Sequence, residues 1–370
     1  MEITHIYWFA PYNLKGPSTR YRGYYPLKVL KKEYGIDSHF VYPEMTRSVV
    51  WNFLKAYISA LFFRKKNSII VIQKICSNRM YANLLKILVL IQRKNTLFDI
   101  DDAEYLRQDD KTLHFFLKNC RTISVGSDAL KEYCKKFNQN VFILTSPVIQ
   151  HSEKKSKRNK TLNIGWVGDL GNGNDLSKEF SHKKSLFTIL FPQIKKLKTP
   201  LTLTIIGVKQ KSDIPEITNY FKNNSNINVI IPTNLNWEKD EWIYSEITKF
   251  DIGVAPLSNH LFNISKSAFK AKQYLSAGIP TLASDIGENS KFVKHNVNGY
   301  LCRNGNDFKS SIIKISEMND LEYSKLSQNA LNSKSDYSMN TYCELLIEIN
   351  KTDIPHEMQN RIPKAQKQLS

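Results

Sequence analysis

Cysteine is scarce in this chain of 370 residues, and its spacing is not that of a metal site or a disulfide framework. The five cysteines are Cys76, Cys120, Cys134, Cys302 and Cys343, and no two of them lie two or three positions apart. Paired zinc sites need close cysteine pairs, and small secreted domains need several bridges. We therefore expect a protein of the reducing cytoplasm.

Uninterrupted apolar runs long enough to cross a bilayer, about 18 to 20 residues, are also absent. The two best runs, Val49–Phe63 and Tyr81–Ile91, are shorter, and each contains a lysine. The first residues lack the basic region and long apolar core of a secretory signal. A cytoplasmic location is therefore expected, and peripheral attachment at the inner face of the plasma membrane stays open.

Acidic residues are too few to balance the basic ones. The chain has 53 Lys and Arg against 34 Asp and Glu, a net charge of +19, and residues 1–155 alone carry 25 basic and 13 acidic residues. Such a field attracts nucleic acid, an anionic membrane surface or a phosphorylated small substrate. No basic helix, zinc finger or stacking-aromatic motif supports nucleic acid, so we do not expect that partner.

Short apolar strands alternate with helical segments in both halves of the chain. This alternation predicts an α/β fold with two Rossmann-like, doubly wound parallel sheets, each covered on both faces. The predicted strands are Ile3–Phe9, Ser38–Val41, Ser68–Gln73, Thr96–Ile100, Thr122–Val125 and Val141–Leu144, then Leu162–Val167, Leu201–Ile206, Ile227–Ile231, Asp251–Ala255, Thr281–Ala283 and Tyr300–Leu301.

A basic segment without apolar residues, His151–Lys160, separates the two alternating patterns. We interpret it as an interdomain linker, the alternative being a surface loop inside one large domain. The predicted divisions are residues 1–155, residues 156–336, a last helical segment at 337–352 and a flexible tail at 353–370.

The loop after the first predicted strand contains Gly16-Pro-Ser18-Thr-Arg20-Tyr-Arg22. Ligands of parallel sheets bind at the carboxyl ends of strands, where backbone amides and guanidinium groups can meet phosphate. A surface loop with solvated arginines is the alternative.

An acidic cluster ends the predicted strand Thr96–Ile100. Asp99, Asp101 and Asp102 are hard oxygen ligands suited to Mg²⁺ or Mn²⁺. Asp99 lies within the predicted strand, whereas Asp101 and Asp102 follow its end, so only Asp101 or Asp102 can reach a substrate cleft. We favour helix capping, pairing with basic loops or contact with a substrate hydroxyl over a metal site.

A glycine-rich turn, Gly168-Asp169-Leu-Gly171-Asn-Gly173-Asn, follows the predicted strand Leu162–Val167. Glycines let backbone amides approach a diphosphate, and Lys183 and Lys184 would add charge at the start of the next helix. The spacing matches neither the Walker loop nor the dinucleotide fingerprint. An ordinary turn is therefore the alternative.

The most specific pattern lies in Phe250–Leu301. It resembles the nucleotide-sugar-binding half of the family-4 (group 1) glycosyltransferases of GT-B architecture, which include bacterial polysaccharide-assembly enzymes. The matched residues are Asp251, Gly253, Pro256, Leu257, Ala277, Gly278, Pro280, Gly287, Asn298 and Gly299. Weaker matches at Trp237, Phe98–Ala103, Val125–Ser127 and Tyr337–Ile349 extend the resemblance over about residues 1–350.

The resemblance implies two domains that face a cleft, with the acceptor bound by the first and a nucleotide-diphosphate sugar by the second. It also implies retention at the anomeric carbon and a last helix that crosses back to the first domain. Many members have two glutamates where this chain has Ser265 and Gln273, and an arginine where it has Asp169. These departures put the usual sugar and diphosphate contacts in question.

Sugar transfer leaves negative charge on the departing diphosphate, so positioned cations and N–H dipoles are its main need, and a metal or cofactor is not expected. The predicted catalytic residues are Lys183, Lys184, Lys266 and Arg20. The predicted donor-binding residues are Gly168, Gly171, Pro256, Leu257, Asn263, Ser267, Ala268, Phe269, Lys270 and Gln273. The predicted acceptor-binding residues are Gly16, Ser18, Arg22, Asp101 and Asp102.

The expected acceptor is a glycan or a polyprenyl-diphosphate-linked sugar used in cell-surface polysaccharide assembly. The segment Val49–Arg64 then contacts an anionic membrane surface, or alternatively packs its apolar side on the sheet. Two other functions stay open: a sugar-nucleotide epimerase of the same fold, and a non-catalytic nucleotide-sugar-binding protein.

Overall fold

A computed structural model describes residues 3–74, 78–106, 110–150, 155, 157–171, 180–234, 236 and 239–350. The chain divides into two compact units, Met1–Pro147 with Asp336–Ser370, and Val148–Ser335. Most of the predicted linker, Gly173 of the glycine-rich turn, Trp237 and the predicted tail lie outside the described residues.

The first unit contains one sheet of six parallel strands in the order β2-β1-β3-β4-β5-β6. Its predicted strands are confirmed: three keep their predicted bounds, and one end of each of the other three shifts by one or two residues. They are β1 (His5–Phe9), β2 (Asp37–Val41), β3 (Ser68–Gln73), β4 (Thr96–Ile100), β5 (Thr122–Val125) and β6 (Val141–Ile143).

Helices cover both faces of this sheet, which explains why its central strands are apolar on both sides. On one face Trp8 packs with Leu27 and Leu346, and on the other Phe9 meets the ring of Phe53, with centroids 6.2 Å apart. The helices are α1 (Tyr25–Tyr34), α2 (Arg47–Phe62), α3 (Arg79–Gln92), α4 (Asp110–Asn119), α5 (Asp128–Cys134) and, from the end of the chain, α15 (Met339–Glu348).

The second unit repeats the architecture with the order β12-β11-β10-β7-β8-β9, again all parallel. Its strands are β7 (Leu162–Val167), β8 (Leu201–Ile206), β9 (Ile227–Ile230), β10 (Ile252–Ala255), β11 (Thr281–Ser284) and β12 (Gly299–Cys302). Its helices are α6 (His182–Ser185), α7 (Phe191–Ile194), α8 (Asp213–Phe221), α9 (Asp240–Ile247), α10 (Leu261–Ile264), α11 (Phe269–Ser276), α12 (Asn289–Phe292), α13 (Gly305–Glu317) and α14 (Asp320–Asn332).

Arg22, which the sequence placed at an acceptor site, is in the interior of the first unit. Its side chain is fully buried, and it donates two hydrogen bonds to the Asp99 carboxylate, one of them from Nε at 2.8 Å. It also donates to Leu144 O at 2.8 Å and Ser146 Oγ at 3.1 Å. Arg22 is therefore a structural cation, and its position corrects the sequence-based interpretation.

Arg22→Leu should lower the free energy of unfolding by about 3 to 5 kcal/mol, because it leaves the Asp99 carboxylate buried without its partner. Urea unfolding followed by circular dichroism measures this loss. The double variant Arg22→Leu/Asp99→Leu should recover part of it, and Lys32→Leu, an exposed cation on α1, is the control. A loss no larger than that of the control would contradict the structural role.

Candidate functional site

The strand order of the second unit changes direction between β7 and β10. The chain runs from β7 outward to β8 and β9, then returns to β10 on the other side of β7. Loops that leave two such neighbouring strands diverge, and the crevice between them is the usual ligand site of an open parallel sheet. Gly168 follows β7 here and Pro256 follows β10.

Three basic side chains converge beside this crevice. His182 Nε2 lies 3.0 Å from Lys270 Nζ and 3.3 Å from Lys266 Nζ. Because both ammonium groups are donors, the imidazole nitrogen between them acts as the acceptor. Lys270 also lies over the ring of Trp166, with Nζ 5.4 Å from the centroid. The arrangement concentrates positive charge at the end of β7.

Gly168 has no side chain, and the Lys270 side chain occupies the space where a Cβ would lie. A Cβ at this position would lie 2.5 Å from Lys270 Cε and 2.9 Å from Nζ. Any larger residue would displace the lysine, so the glycine and the lysine form one feature. The predicted donor residues Gly168 and Lys270 are thus brought together.

The segment between β10 and β11 forms two helices with a break between them. α10 ends at Ile264 and α11 begins at Phe269, so Lys266, Ser267 and Ala268 form the connection. Ala268 precedes α11 with φ of 53° and ψ of 32°, a left-handed conformation that is costly for a residue with a Cβ. The break directs the first backbone N–H groups of α11 along the helix axis toward its amino end, where anions are stabilised.

The loop after β10 is held by side-chain hydrogen bonds. Leu257 N donates to Ser284 Oγ at 2.9 Å, and Ser258 N donates to Ser185 Oγ at 3.1 Å. Asn263 Nδ2 donates to Ser258 O and Ser258 Oγ, both at 3.0 Å. Its Oδ1 is buried and accepts no hydrogen bond from the described residues. Hydrogen bonds thus fix the loop that follows Pro256 and connect it to Asn263 of α10.

Gly287 allows the loop after β11 to pass close to α10. Its φ is 52°, and a Cβ there would lie 2.4 Å from the backbone oxygen of Ile264. This glycine of the sequence pattern therefore fixes the spacing between the two loops.

Two of the three positions that depart from the glycosyltransferase pattern, Ser265 and Gln273, are buried. Ser265 Oγ donates to Leu261 O at 2.9 Å, an interaction within α10 and its end. Gln273 lies within α11 and is 6% exposed. A carboxylate is missing at both places, so the site presents cations and amides.

Lys183 forms ion pairs with two carboxylates of the second unit. Nζ donates to Asp213 Oδ1 at 3.0 Å and to Glu216 Oε2 at 2.6 Å, and the lysine is buried. Burial alone lowers the pKa of Lys183, but the hydrogen bonds with Glu216 and Asp213 outweigh it and raise that pKa. Two carboxylates neutralise the charge that the sequence assigned to a diphosphate. Lys184 follows it on α6, where its backbone N–H donates to Ser181 Oγ at 3.0 Å, and its role stays a prediction.

The turn after β7 contains a carboxylate paired with a lysine. Asp169 Oδ1 accepts from Gly171 N at 3.0 Å, and Oδ2 lies 2.6 Å from Lys209 Nζ. Gly171 thus takes part in the turn at Asp169. Residues 172–179 lie outside the described residues.

A second polar cluster lies at the carboxyl ends of β3 and β4 in the first unit. Ser18 Oγ donates to Asp101 Oδ2 at 3.1 Å, and Gln73 Nε2 donates to Ser18 O at 2.9 Å. Lys74 Nζ lies 2.5 Å from Asp101 Oδ1 and 2.7 Å from Asp102 Oδ2. Of the predicted acceptor residues, Ser18, Asp101 and Asp102 are therefore brought together.

The protonation of Lys74 and Asp101 depends on the opposite charges that they place next to each other. Burial alone lowers the pKa of Lys74, but the carboxylates of Asp101 and Asp102 raise it well above its ordinary value. Burial raises the pKa of Asp101, while Lys74 opposes that change. Lys74 is thus ionised and offsets one of the two negative charges that had suggested a metal. Among the described residues, no group of three or more His, Cys, Asp and Glu side chains could hold a metal ion.

The remaining predicted residues of this loop act locally. Arg20 is buried and donates from Nη1 to Leu14 O at 2.7 Å and to Lys15 O at 3.2 Å. Gly16 N donates to Asn13 O at 3.1 Å. Arg20 thus holds its own loop, and its proposed contact with phosphate stays a prediction.

Sequence reasoning did not select His182, Gln73 or Lys74. His182 was visible beside Lys183 at a helix start, and the other two directly follow or end a predicted strand. A rule that takes every polar residue at a strand's carboxyl end would have found Gln73 and Lys74. His182 pairs with Lys266 and Lys270, which lie 84 and 88 positions later in the sequence, so no local pattern predicts this contact.

Comparisons with known proteins agree with this architecture. Residues 176–318 match the family model described as glycosyl transferases group 1. No curated protein sequence matches the chain.

Three solved structures show the same fold at low sequence identity. A glycosyltransferase from Rickettsia africae is 11% identical, with TM-score 0.64 over 95% of this chain and 98% of its own. Anabaena HepE in complex with UDP and glucose is 11% identical, with TM-score 0.60 over 93% and 98%. Sucrose-phosphate synthase from Thermosynechococcus elongatus is 10% identical, with TM-score 0.62 over 94% and 98%.

Ala268→Gly should raise the free energy of unfolding by about 1 kcal/mol, because glycine adopts the left-handed conformation without the cost of a Cβ. Chemical denaturation measures the change. Ala271→Gly, three residues later inside α11, is the matched control and should lower stability by about 1 kcal/mol. Equal losses in both variants would show that the backbone at Ala268 is not strained.

Proposed function

We propose that this chain is a retaining group 1 glycosyltransferase that uses a UDP-sugar as donor. The acceptor is a glycan or a lipid-linked sugar of cell-surface polysaccharide assembly. The proposed donor site rests on one observation: Lys266, Lys270 and His182 converge at the β7–β10 crevice. HepE, which shares the fold, has been solved with UDP and glucose.

The chemistry of sugar transfer fits a site of this charge. Bond cleavage at the anomeric carbon leaves positive charge on the sugar ring and negative charge on the departing diphosphate. Ammonium groups held in advance stabilise that negative charge without reorganisation in the transition state. Lys266 and Lys270 would face the phosphates, and the amino end of α11 would add its backbone N–H groups.

The acceptor half rests on the cluster in the first unit. Ser18, Gln73, Asp101 and Asp102 offer hydroxyl, amide and carboxylate groups at one edge of the sheet. Such groups hydrogen-bond sugar hydroxyls, and Lys74 holds the two carboxylates in place. A sugar acceptor therefore fits this edge better than a bare phosphate, whose charge the carboxylates would repel.

Apolar residues on two helices support a lipid-linked acceptor. Phe53, Ala56 and Tyr57 of α2 face inward, which agrees with packing on the sheet. Nine other apolar residues, on α2, on α3 and directly after α2, are exposed to solvent. We call them the α2–α3 surface. They are Trp51, Leu54, Ile58, Phe62, Phe63, Met80, Ile87, Leu90 and Ile91. An apolar helical face flanked by basic residues binds anionic membranes at the interface.

Within the described residues, no helix is both long and apolar enough to span a membrane. The α2–α3 surface is therefore proposed as a peripheral contact. Trp51 is 69% exposed and Phe63 is 74% exposed, values that are unusual for aromatic residues on a water-facing helix.

Lys266→Ala/Lys270→Ala should reduce sugar transfer by at least about a hundredfold, because removal of a single charge-stabilising donor already costs roughly 3 kcal/mol. Initial rates with a radiolabelled UDP-sugar measure the loss. The matched control is Lys198→Ala/Lys222→Ala, two exposed lysines of the same unit. Unchanged turnover in the first variant would remove the donor assignment.

One set of ligand assays separates the three candidate functions. UDP and UDP-sugars should raise the melting temperature, since a ligand that binds only the native state stabilises it. Transfer to acceptor supports the proposal, and conversion of free nucleotide sugar without acceptor indicates an epimerase. Stabilisation without turnover indicates a binding protein, and the anomeric configuration of the product tests retention.

Trp51→Ser/Phe62→Ser/Phe63→Ser should lower binding to anionic vesicles about a thousandfold or more, since each buried aromatic contributes about 1.5 to 3 kcal/mol and about 1.4 kcal/mol is tenfold. Vesicle flotation of the purified chain at low and high salt measures this. Leu321→Ser, an exposed apolar residue of the second unit, is the control. Equal flotation of variant and parent would contradict the membrane contact.

A further inference from the structure

A groove of about 980 Å³ lies at the amino edge of the first unit's sheet. Ser68 at the start of β3, Asn95 before β4, Arg121 before β5 and Asn140 before β6 line it. The cluster with Ser18 and Asp101 lies at the carboxyl edge of the same sheet. The groove is therefore separate from the proposed acceptor site.

The groove is strongly basic. Its lining contains six cations, Arg64, Lys66, Arg93, Lys94, Lys118 and Arg121, and no Asp or Glu belongs to the described lining. Concentrated charge of one sign in a concave surface focuses the field and attracts anions. The remaining polar lining is largely asparagine, whose amides donate hydrogen bonds without adding charge.

Two of the cations are oriented by uncharged oxygen atoms. Arg64 Nη1 donates to Ser68 O at 2.9 Å and to Ser68 Oγ at 3.0 Å. Arg93 Nη2 donates to Lys118 O at 3.3 Å. These bonds hold the guanidinium groups in place and leave their positive charge uncancelled. The arrangement suits phosphate, which guanidinium groups bind through paired hydrogen bonds.

The position of the groove indicates which phosphate it binds. Phe62 and Phe63 directly precede Arg64, and Ile91 lies two residues before Arg93. The ends of both helices of the α2–α3 surface thus lead into the groove, so apolar and basic groups are continuous there. An acidic phospholipid offers the matching pair, acyl chains beside a phosphate head group.

The chain's own carboxyl end is a poorer occupant on charge grounds. Asn350 lines the groove, and residues 351–370 carry four basic and two acidic residues. A segment with net positive charge does not complement six cations.

We propose that this groove binds the phosphate head group of an acidic phospholipid when the α2–α3 surface contacts a membrane. The inference rests on the membrane contact in the proposed function and is independent of the donor site. The head group then fixes the orientation of the first unit on the bilayer, since the groove lies at one end of α2 and α3.

The test compares two triple variants of the full chain. Lys66→Gln/Lys94→Gln/Lys118→Gln removes three exposed lysines from the groove, and Lys28→Gln/Lys31→Gln/Lys32→Gln removes three exposed lysines from α1. Both change the net charge equally. Flotation is measured with phosphatidylcholine vesicles that contain or lack phosphatidylglycerol, and UDP-induced thermal stabilisation is measured in parallel.

The groove variant should lose about fivefold in binding to phosphatidylglycerol vesicles per lysine, on the order of a hundredfold in all. The α1 variant should lose much less, and UDP stabilisation should be unchanged in both. Equal losses in the two variants would show a dependence on net charge alone and would overturn the proposal. Soluble glycerol phosphate that stabilises only the parent and the α1 variant, without any difference in flotation, would overturn the lipid source. If UDP does not stabilise the parent chain, the proposed function is contradicted, while the flotation result for the groove still holds.

Discussion

Three buried cations in this protein are held by carboxylates, and this constraint limits which basic residues can act on a ligand. Arg22 is paired with Asp99, Lys74 with Asp101 and Asp102, and Lys183 with Asp213 and Glu216. Charges without such partners could not be removed from water at an acceptable cost in free energy. In contrast, Lys266 and Lys270 meet at a histidine, which accepts a hydrogen bond and brings no negative charge.

The sheets could be predicted from the sequence because a parallel strand buried on both faces is a continuous apolar run. Ser68–Gln73 and Leu201–Ile206 were predicted with the bounds that the structure shows. The break between α10 and α11 could not be predicted in the same way. Ala268 has high helix propensity, and only the packing around it selects its left-handed conformation.

Site residues were harder to predict than strands, because their roles depend on partners distant in sequence. Arg22 and Asp99 are 77 positions apart, and Lys183 and Asp213 are 30 apart. A sequence pattern shows a charge but not the carboxylate that neutralises it. The residues placed correctly at strand ends, such as Gly168 and Asp101, needed only the topology of the sheet.

The position of positive charge in the second unit differs from the family pattern in a consistent way. The first loop carries Asp169 where many group 1 enzymes have arginine, and this carboxylate is already paired with Lys209. A negative residue near a diphosphate would repel it, so its neutralisation by Lys209 removes that repulsion. The attraction must then come from elsewhere, and Lys266 and Lys270 stand on the segment where the family has one of its two glutamates. In the proposed donor site, the positive charge therefore comes from Lys266 before α11 and Lys270 in its first turn, and not from the β7 loop.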